Sequence, residues 1–240
     1  MMTTAVKRIG IFGGTFDPVH LGHIASAREL LTSVKFDTVY LMPCYRHPHD
    51  KHPGASAAQR LEMLELALAN EKQLAVDSRE LHRSGLSYTV DSLAELRSEQ
   101  GDEAQLVFIL GSDAFAGLDA WHRWQSLLEL ANLLVIERAG QIALNDIDKL
   151  TLQNLLSDSV EDFNQPAGQL MQLRLKPYDI SSTAIRQALA AGKVSNAVGG
   201  IVVGDNALGD NSPANKNIKV NEYIPELVMD YIQANHLYGL

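Results

Sequence analysis

Residues 13–23 read Gly13-Gly14-Thr15-Phe16-Asp17-Pro18-Val19-His20-Leu21-Gly22-His23, directly after an apolar run at residues 6–12. The run has strand character, and residues 20–31 have helical spacing, so a glycine-rich turn leads from a strand into a helix. Glycines let the backbone come close to a ligand, and N–H groups at a helix start face an anion. The two histidines add hydrogen-bond donors or positive charge at the same end. The stretch therefore points to phosphate-bearing ligands, and to nucleotide chemistry at the first turn of an α/β fold.

The rest of the chain continues that alternation. Strand-like runs are expected at 38–42, 74–77, 105–110, 133–136 and 170–176. Helical patterns are expected at 58–70, with Leu61, Leu64 and Leu68 on one face, and at 89–99, with Thr89 as cap and Val90, Leu93 and Ala94 on one side. Further helices are expected at 121–131, at 182–191 ending on Gly192, and at 225–236 opening on Pro225. Strand and helix in turn predict a Rossmann-like, doubly wound α/β fold: a mostly parallel sheet with helices on both faces. One domain is expected over 1–240. Two segments break the pattern: 44–56, rich in proline, histidine and charge, reads as a mobile loop, and 195–221, rich in glycine, asparagine and aspartate, as a flexible insertion.

Composition narrows the partners. A formal charge of −9 lacks the basic stripe that a nucleic-acid surface needs, while a small phosphate-rich ligand requires only a local cluster of donors. With 46% hydrophobic residues the chain can build an ordinary core. The lone Cys44 excludes an internal disulfide framework and fits a reducing compartment. No stretch has signal-peptide or membrane-spanning character, so no membrane partner is expected and the location reads as cytoplasmic. A homo-oligomer is compatible with these features.

Taken alone, His20 and His23 could be a capping residue and a surface residue; the Gly-Gly-Thr-Phe-Asp-Pro before them favours a ligand-binding role. Five of the eight histidines lie between 20 and 52, but a zinc site would need a third ligand at a recognisable spacing near the pair, and none stands there. No protein-held metal is expected. A second motif, Ile180-Ser181-Ser182-Thr183-Ala184-Ile185-Arg186, would by itself pass for a routine helix start.

Together the two motifs resemble the signatures of the nucleotidyltransferase superfamily, His-x-Gly-His and Ser-x-Thr-x-x-Arg. The middle of the chain is similar to bacterial nicotinate-nucleotide adenylyltransferases: Pro48-His49, the helix Gln59-Arg60-Leu61-Glu62-Met63-Leu64-Glu65-Leu66-Ala67, Ser87-Tyr88-Thr89, Phe108-Ile109-Leu110-Gly111-Ser112-Asp113, Trp121 with the helix after it, and the ending Tyr231-Ile232 with Leu237-Tyr238. Pantetheine-phosphate adenylyltransferases share the superfamily but have Thr-x-Gly-His, and cytidylyltransferases lack the Ser-Tyr-Thr and Gly-x-Asp landmarks. The family has a basic residue straight after Pro-His, whereas Asp50 and then Lys51 stand here. Arg46, Lys51 and His52 are thus all candidates to meet a phosphate.

The resemblance implies transfer of AMP from ATP to nicotinate mononucleotide, giving deamido-NAD and pyrophosphate, with Mg²⁺ carried mainly by the substrate phosphates. It implies His20, His23 and Arg186 as catalytic residues. Gly13, Gly14, Thr15, Phe16, His49, Gly111, Asp113, Ser181 and Thr183 would bind ATP. Tyr88, Thr89 and Trp121 would bind nicotinate mononucleotide, with Trp124 as the rival to Trp121. The alternatives are an enzyme of the same superfamily with a nicotinamide mononucleotide or phosphopantetheine acceptor, or a non-enzymatic nucleotide-binding regulator.

Overall fold

Six strands form one sheet in the order β3-β2-β1-β4-β5-β6, with every neighbouring pair parallel. The computed structural model describes residues 6–45, 54–83, 86–137, 154–178, 180–192 and 220–240. In chain order the elements are β1 (Arg8–Gly14), α1 (Leu21–Ser33), β2 (Thr38–Pro43), α2 (Ala57–Leu68), β3 (Leu74–Val76), α3 (Thr89–Gln100), β4 (Gln105–Gly111), α4 (Ser112–Ala116), α5 (Leu127–Leu130), β5 (Asn132–Glu137), β6 (Leu170–Arg174), α6 (Ser182–Ala190) and α7 (Glu226–Ala234). Among the described residues no helix is long and apolar enough to cross a membrane.

The two-residue period of the strands builds two cores. Val39, Leu41, Val107, Ile109, Leu134 and Ile136 face α1, α2, α6 and α7. Ile9, Ile11, Leu106, Phe108, Leu110, Leu133 and Val135 face α3 and α5. Burial on both sides explains why β4 and β5 read as continuous apolar runs rather than alternating ones. The strand order reverses between β1 and β4, and open α/β sheets bind ligands in the crevice beyond the carboxyl ends at such a point. Gly13 and Gly14 end β1, and Gly111 ends β4, at that crevice.

Several local expectations shift. The first strand starts at Arg8, leaving Val6 exposed, and runs through both glycines because Gly13 and Gly14 pair with Met42 and Pro43. The helix expected over 121–131 is instead a pair of short 3₁₀ turns, Leu118–Ala120 and Trp124–Ser126, followed by the four-residue α5. Arg123 lies between them with φ of 52°, a left-handed residue that no α-helix continues through. Tyr88, in extended backbone, takes the cap position of α3 and Thr89 becomes its first residue. On that helix Ala94 is exposed, and Leu96 completes the buried face with Val90 and Leu93. Residues 46–53 of the expected loop lie outside the described residues, but both its ends are held. On one side the Tyr45 N–H donates to Ser87 Oγ, and on the other Ser56 and Gln59 form a capping box at the start of α2. Of the expected insertion, residues 195–219 lie outside the described residues, and Val220 is buried in a short turn.

Candidate active site

The turn after β1 is built on a buried carboxylate and a buried cation. Asp17 accepts the N–H groups of Gly54 (2.7 Å) and Ala55 (3.1 Å) and the hydroxyl of Tyr238 (2.8 Å). Arg60, on the apolar face of α2 and wholly buried, donates to the carbonyls of Thr15 (2.8 Å), Cys44 (2.8 Å) and Tyr45 (3.2 Å). One guanidinium thus pins the turn after β1 to the segment after β2. Its rigid fork suits three carbonyls at once.

His20 caps α1 and His23 lies one turn on, so their rings stack with centroids 3.7 Å apart and planes 26° from parallel. The His20 N–H donates to His23 Nδ1 at 3.2 Å. With Nδ1 accepting, a neutral His23 carries its proton on Nε2 and offers it as a donor. The first N–H of α1 is not open to an anion, since Leu21 donates to the Tyr223 carbonyl at 2.8 Å.

The start of α6 docks on the same turn. Ser181 caps the helix, its Oγ accepting from Ala184 N–H at 3.2 Å, and Ser182 Oγ donates to the Pro18 carbonyl at 3.0 Å. Arg186 donates through Nη1 to the Asp17 carbonyl (2.6 Å), and Nη2 lies 3.4 Å from Thr183 Oγ1. The hydroxyls of Ser181 and Thr183, each accepting from the protein, keep their own protons to donate. The Arg186 side chain remains about one-third exposed.

A cleft of about 1010 Å³ opens beyond the carboxyl ends of β1 and β4. Gly13, Gly14, Thr15, Phe16, His20, His23, Gly111, Asp113, Ser181, Thr183 and Arg186 line it, as do Tyr88, Thr89 and Trp121. His49 lies outside the described residues. Trp121 meets Phe108 edge to face at 6.1 Å, while Trp124 packs against the apolar core of that face. Residues that were not foreseen also face the cleft: Asp17, Cys44, Glu80, Ser87 and His122, whose ring lies 4.4 Å from that of Tyr88. Burial pushes the Glu80 carboxyl up, against hydrogen bonds from Ser92 and Ser87. Through those bonds it holds the segment that carries Tyr88. Burial likewise pushes the Cys44 thiol up, which disfavours the reactive thiolate form.

Residues 11–188 match the cytidylyltransferase-like family model. A protein of Cellvibrio japonicus named a probable nicotinate-nucleotide adenylyltransferase is 47% identical over 186 residues, which are 77% of this chain and 88% of that one. The chain belongs to the nicotinate-nucleotide adenylyltransferase family. A member from Pseudomonas aeruginosa is 38% identical over 235 residues, 97% of each chain. Among solved structures, the Plasmodium falciparum nicotinic acid mononucleotide adenylyltransferase complexed with NaAD superposes with a TM-score of 0.65 over 97% of each chain. At 19% identity it bears on the fold alone. The order of strands, with the crevice between β1 and β4, is the frame on which the family's two motifs meet.

Proposed function

We infer that this protein transfers the adenylyl group of ATP to nicotinate mononucleotide, giving deamido-NAD and pyrophosphate. The observation that carries this reading is the meeting of the two motifs: Arg186 bonds to Asp17 of the first motif, and both line the cleft that also takes in Tyr88 and Trp121. A phosphate oxygen of the mononucleotide attacks the α-phosphorus of ATP. A P–O bond forms there as the bond to the β-phosphate bridging oxygen breaks, and the electron pair leaves with pyrophosphate.

The attacking phosphate, with a second pKa of about 6, is largely ionised near neutrality, so no general base is required. Alignment and charge neutralisation then set the rate. His20 and His23 hold the α-phosphate and the charge that develops on it. Ser181, Thr183 and the backbone of Gly13, Gly14, Thr15 and Phe16 take the polyphosphate, and Arg186 grips the departing pyrophosphate. Gly111 and Asp113 serve the adenosine side. Trp121 stacks on the pyridine ring, with Tyr88 and Thr89 over its carboxylate. His49 joins the ATP phosphates.

Asp17 and Glu80 are committed to protein donors, whereas Asp113 stands exposed in the cleft. These residues fit a Mg²⁺ ion that is carried mainly by the phosphates and neutralises their charge. The lone thiol suits a cytoplasmic enzyme. The test is pyrophosphate release with ATP, Mg²⁺ and nicotinate mononucleotide, run beside the amide and phosphopantetheine. The acid should be preferred, and His23→Ala should lower turnover more than about tenfold, roughly 1.4 kcal/mol. Equal or better turnover with another acceptor overturns the substrate, and an active His23→Ala overturns the role of the histidine.

A further inference from the structure

The turn Leu237–Gly239 comes from far along the sequence to meet Asp17, which lines the cleft. Tyr238 Oη donates to Asp17 Oδ1 at 2.8 Å, while Asp17 Oδ2 accepts from Gly54 N–H and lies 3.5 Å from Arg186 Nη1. The tyrosine ring and the arginine stem share the space over Gly54. A Cβ on that glycine would meet the ring at 3.0 Å and Arg186 Cδ at 3.3 Å. The turn holds left-handed backbone at His236 (φ 50°) and Tyr238 (φ 59°). Residues other than glycine adopt this backbone only rarely, and strain of this kind persists only where the surroundings impose it. Buried Leu237 anchors the turn from behind.

Burial beside Asp17 pushes the Tyr238 hydroxyl far above the ordinary phenol range, so it remains a proton donor at any working pH. Its bond holds Asp17 Oδ1 together with the Ala55 N–H, which donates to the same oxygen at 3.1 Å. The carboxylate is then not free to swing into a two-point ion pair with the guanidinium, a pairing that would be the stronger one. Arg186 meets Asp17 at its main-chain carbonyl and, at 3.5 Å, at Oδ2, and reaches Thr183 Oγ1 at 3.4 Å, while its side chain stays about one-third exposed beside the cleft.

We propose that Tyr238 is a positioning residue for adenylyl transfer: acting through Asp17, it fixes where the Arg186 guanidinium stands at the pyrophosphate end of the cleft. This rests on the reading of Arg186 as the group that grips pyrophosphate. Tyr238→Phe keeps the ring over Gly54 and removes only the hydroxyl.

The experiment is a double-mutant cycle of Tyr238→Phe with Arg186→Ala, with KM for each substrate and inhibition by added pyrophosphate as readouts. Tyr238→Phe alone should raise KM for ATP and the inhibition constant of pyrophosphate about fivefold, the scale of one hydrogen bond, with KM for the mononucleotide unmoved. In the Arg186→Ala background the same change should have no further effect. Equal loss in both backgrounds, or a matching rise in both KM values, marks Tyr238 as a purely structural anchor and overturns the proposal. An Arg186→Ala enzyme with full activity overturns the pyrophosphate role itself, and this proposal with it.

Discussion

Gly22, between the two histidines, offers the sharpest separation of activity from stability. A Cβ at this position would lie 3.0 Å from His20 Nδ1, 3.1 Å from its Cε1 and 3.2 Å from Ile180 Cγ2. Relaxed contacts are about 3.5–4.0 Å, so Gly22→Ala asks the His20 ring to move by about 0.5 Å. The ring cannot retreat easily, because it is 6% exposed and is backed by His23. A 1 Å misplacement of a positioning group costs on the order of 100-fold, so half that displacement should cost about tenfold in turnover. For stability the terms nearly cancel. Alanine in place of glycine in a helix gains about 1 kcal/mol, and overpacking costs about 1 kcal/mol or somewhat more. We therefore expect kcat and kcat/KM to fall together, about tenfold, in a pyrophosphate-release assay. The melting temperature should stay within about 4 °C of the parent. Undiminished turnover would show that the His20 ring has slack or that its position does not matter; a large fall in melting temperature with full activity per folded molecule would refute the packing argument.

Two further substitutions probe the floor and the wall of the cleft. Arg60→Met should leave the Thr15, Cys44 and Tyr45 carbonyls without this donor, at a cost of about 3 kcal/mol or a melting-temperature loss of about 6–12 °C. A calorimetric loss below about 1 kcal/mol would mean that the guanidinium is not what holds the two turns together. Glu80 has a folded-state pKa raised by burial above the usual 4.5, so its contribution favours folding at low pH and is lost as pH rises through the folded value. Glu80→Gln removes that titration. Its stability relative to the parent should therefore improve as pH is raised from 4.5 toward neutrality, measured by urea unfolding at each pH; a flat or falling difference contradicts the assigned shift.

What could be read from the residues depended on whether the determining interaction was local. The sheet was legible because burial on both faces leaves β4 and β5 as unbroken apolar runs, and because α1, α2, α3, α6 and α7 declare themselves through spacing within a few turns, which the five-residue α4 is too short to do. The glycines that end β1 and β4 were legible for a related reason: in a parallel sheet every strand ends on the same edge, so loops far apart in sequence must open on one crevice. Trp121 was harder, since a single left-handed residue, Arg123, decides whether a helix or a string of tight turns follows. Nothing in the letters around it requires that backbone.

Arg60 left a trace that could have been found, a charged residue at the helical spacing of Met63, Leu64 and Leu68, all of them buried. A cation on an apolar face has to be met by acceptors, and here the acceptors are main-chain carbonyls of two distant turns. Side-chain patterns hold no record of such groups. The same holds for Asp17, which reads as a turn residue until its partners at Gly54, Ala55, Arg186 and Tyr238 are known. Side chains that would touch ligand carry their chemistry in their identity, which is why His20, His23 and Arg186 stand out in the sequence. Residues that hold those side chains in place act through bonds to the backbone of remote segments, so only the folded chain reveals them. On this view the floor of the cleft is one bonded assembly, joining the first turn, the start of α2, α6 and the last residues of the chain. A change at Tyr238 should then be felt at Arg186 before it is felt in the core.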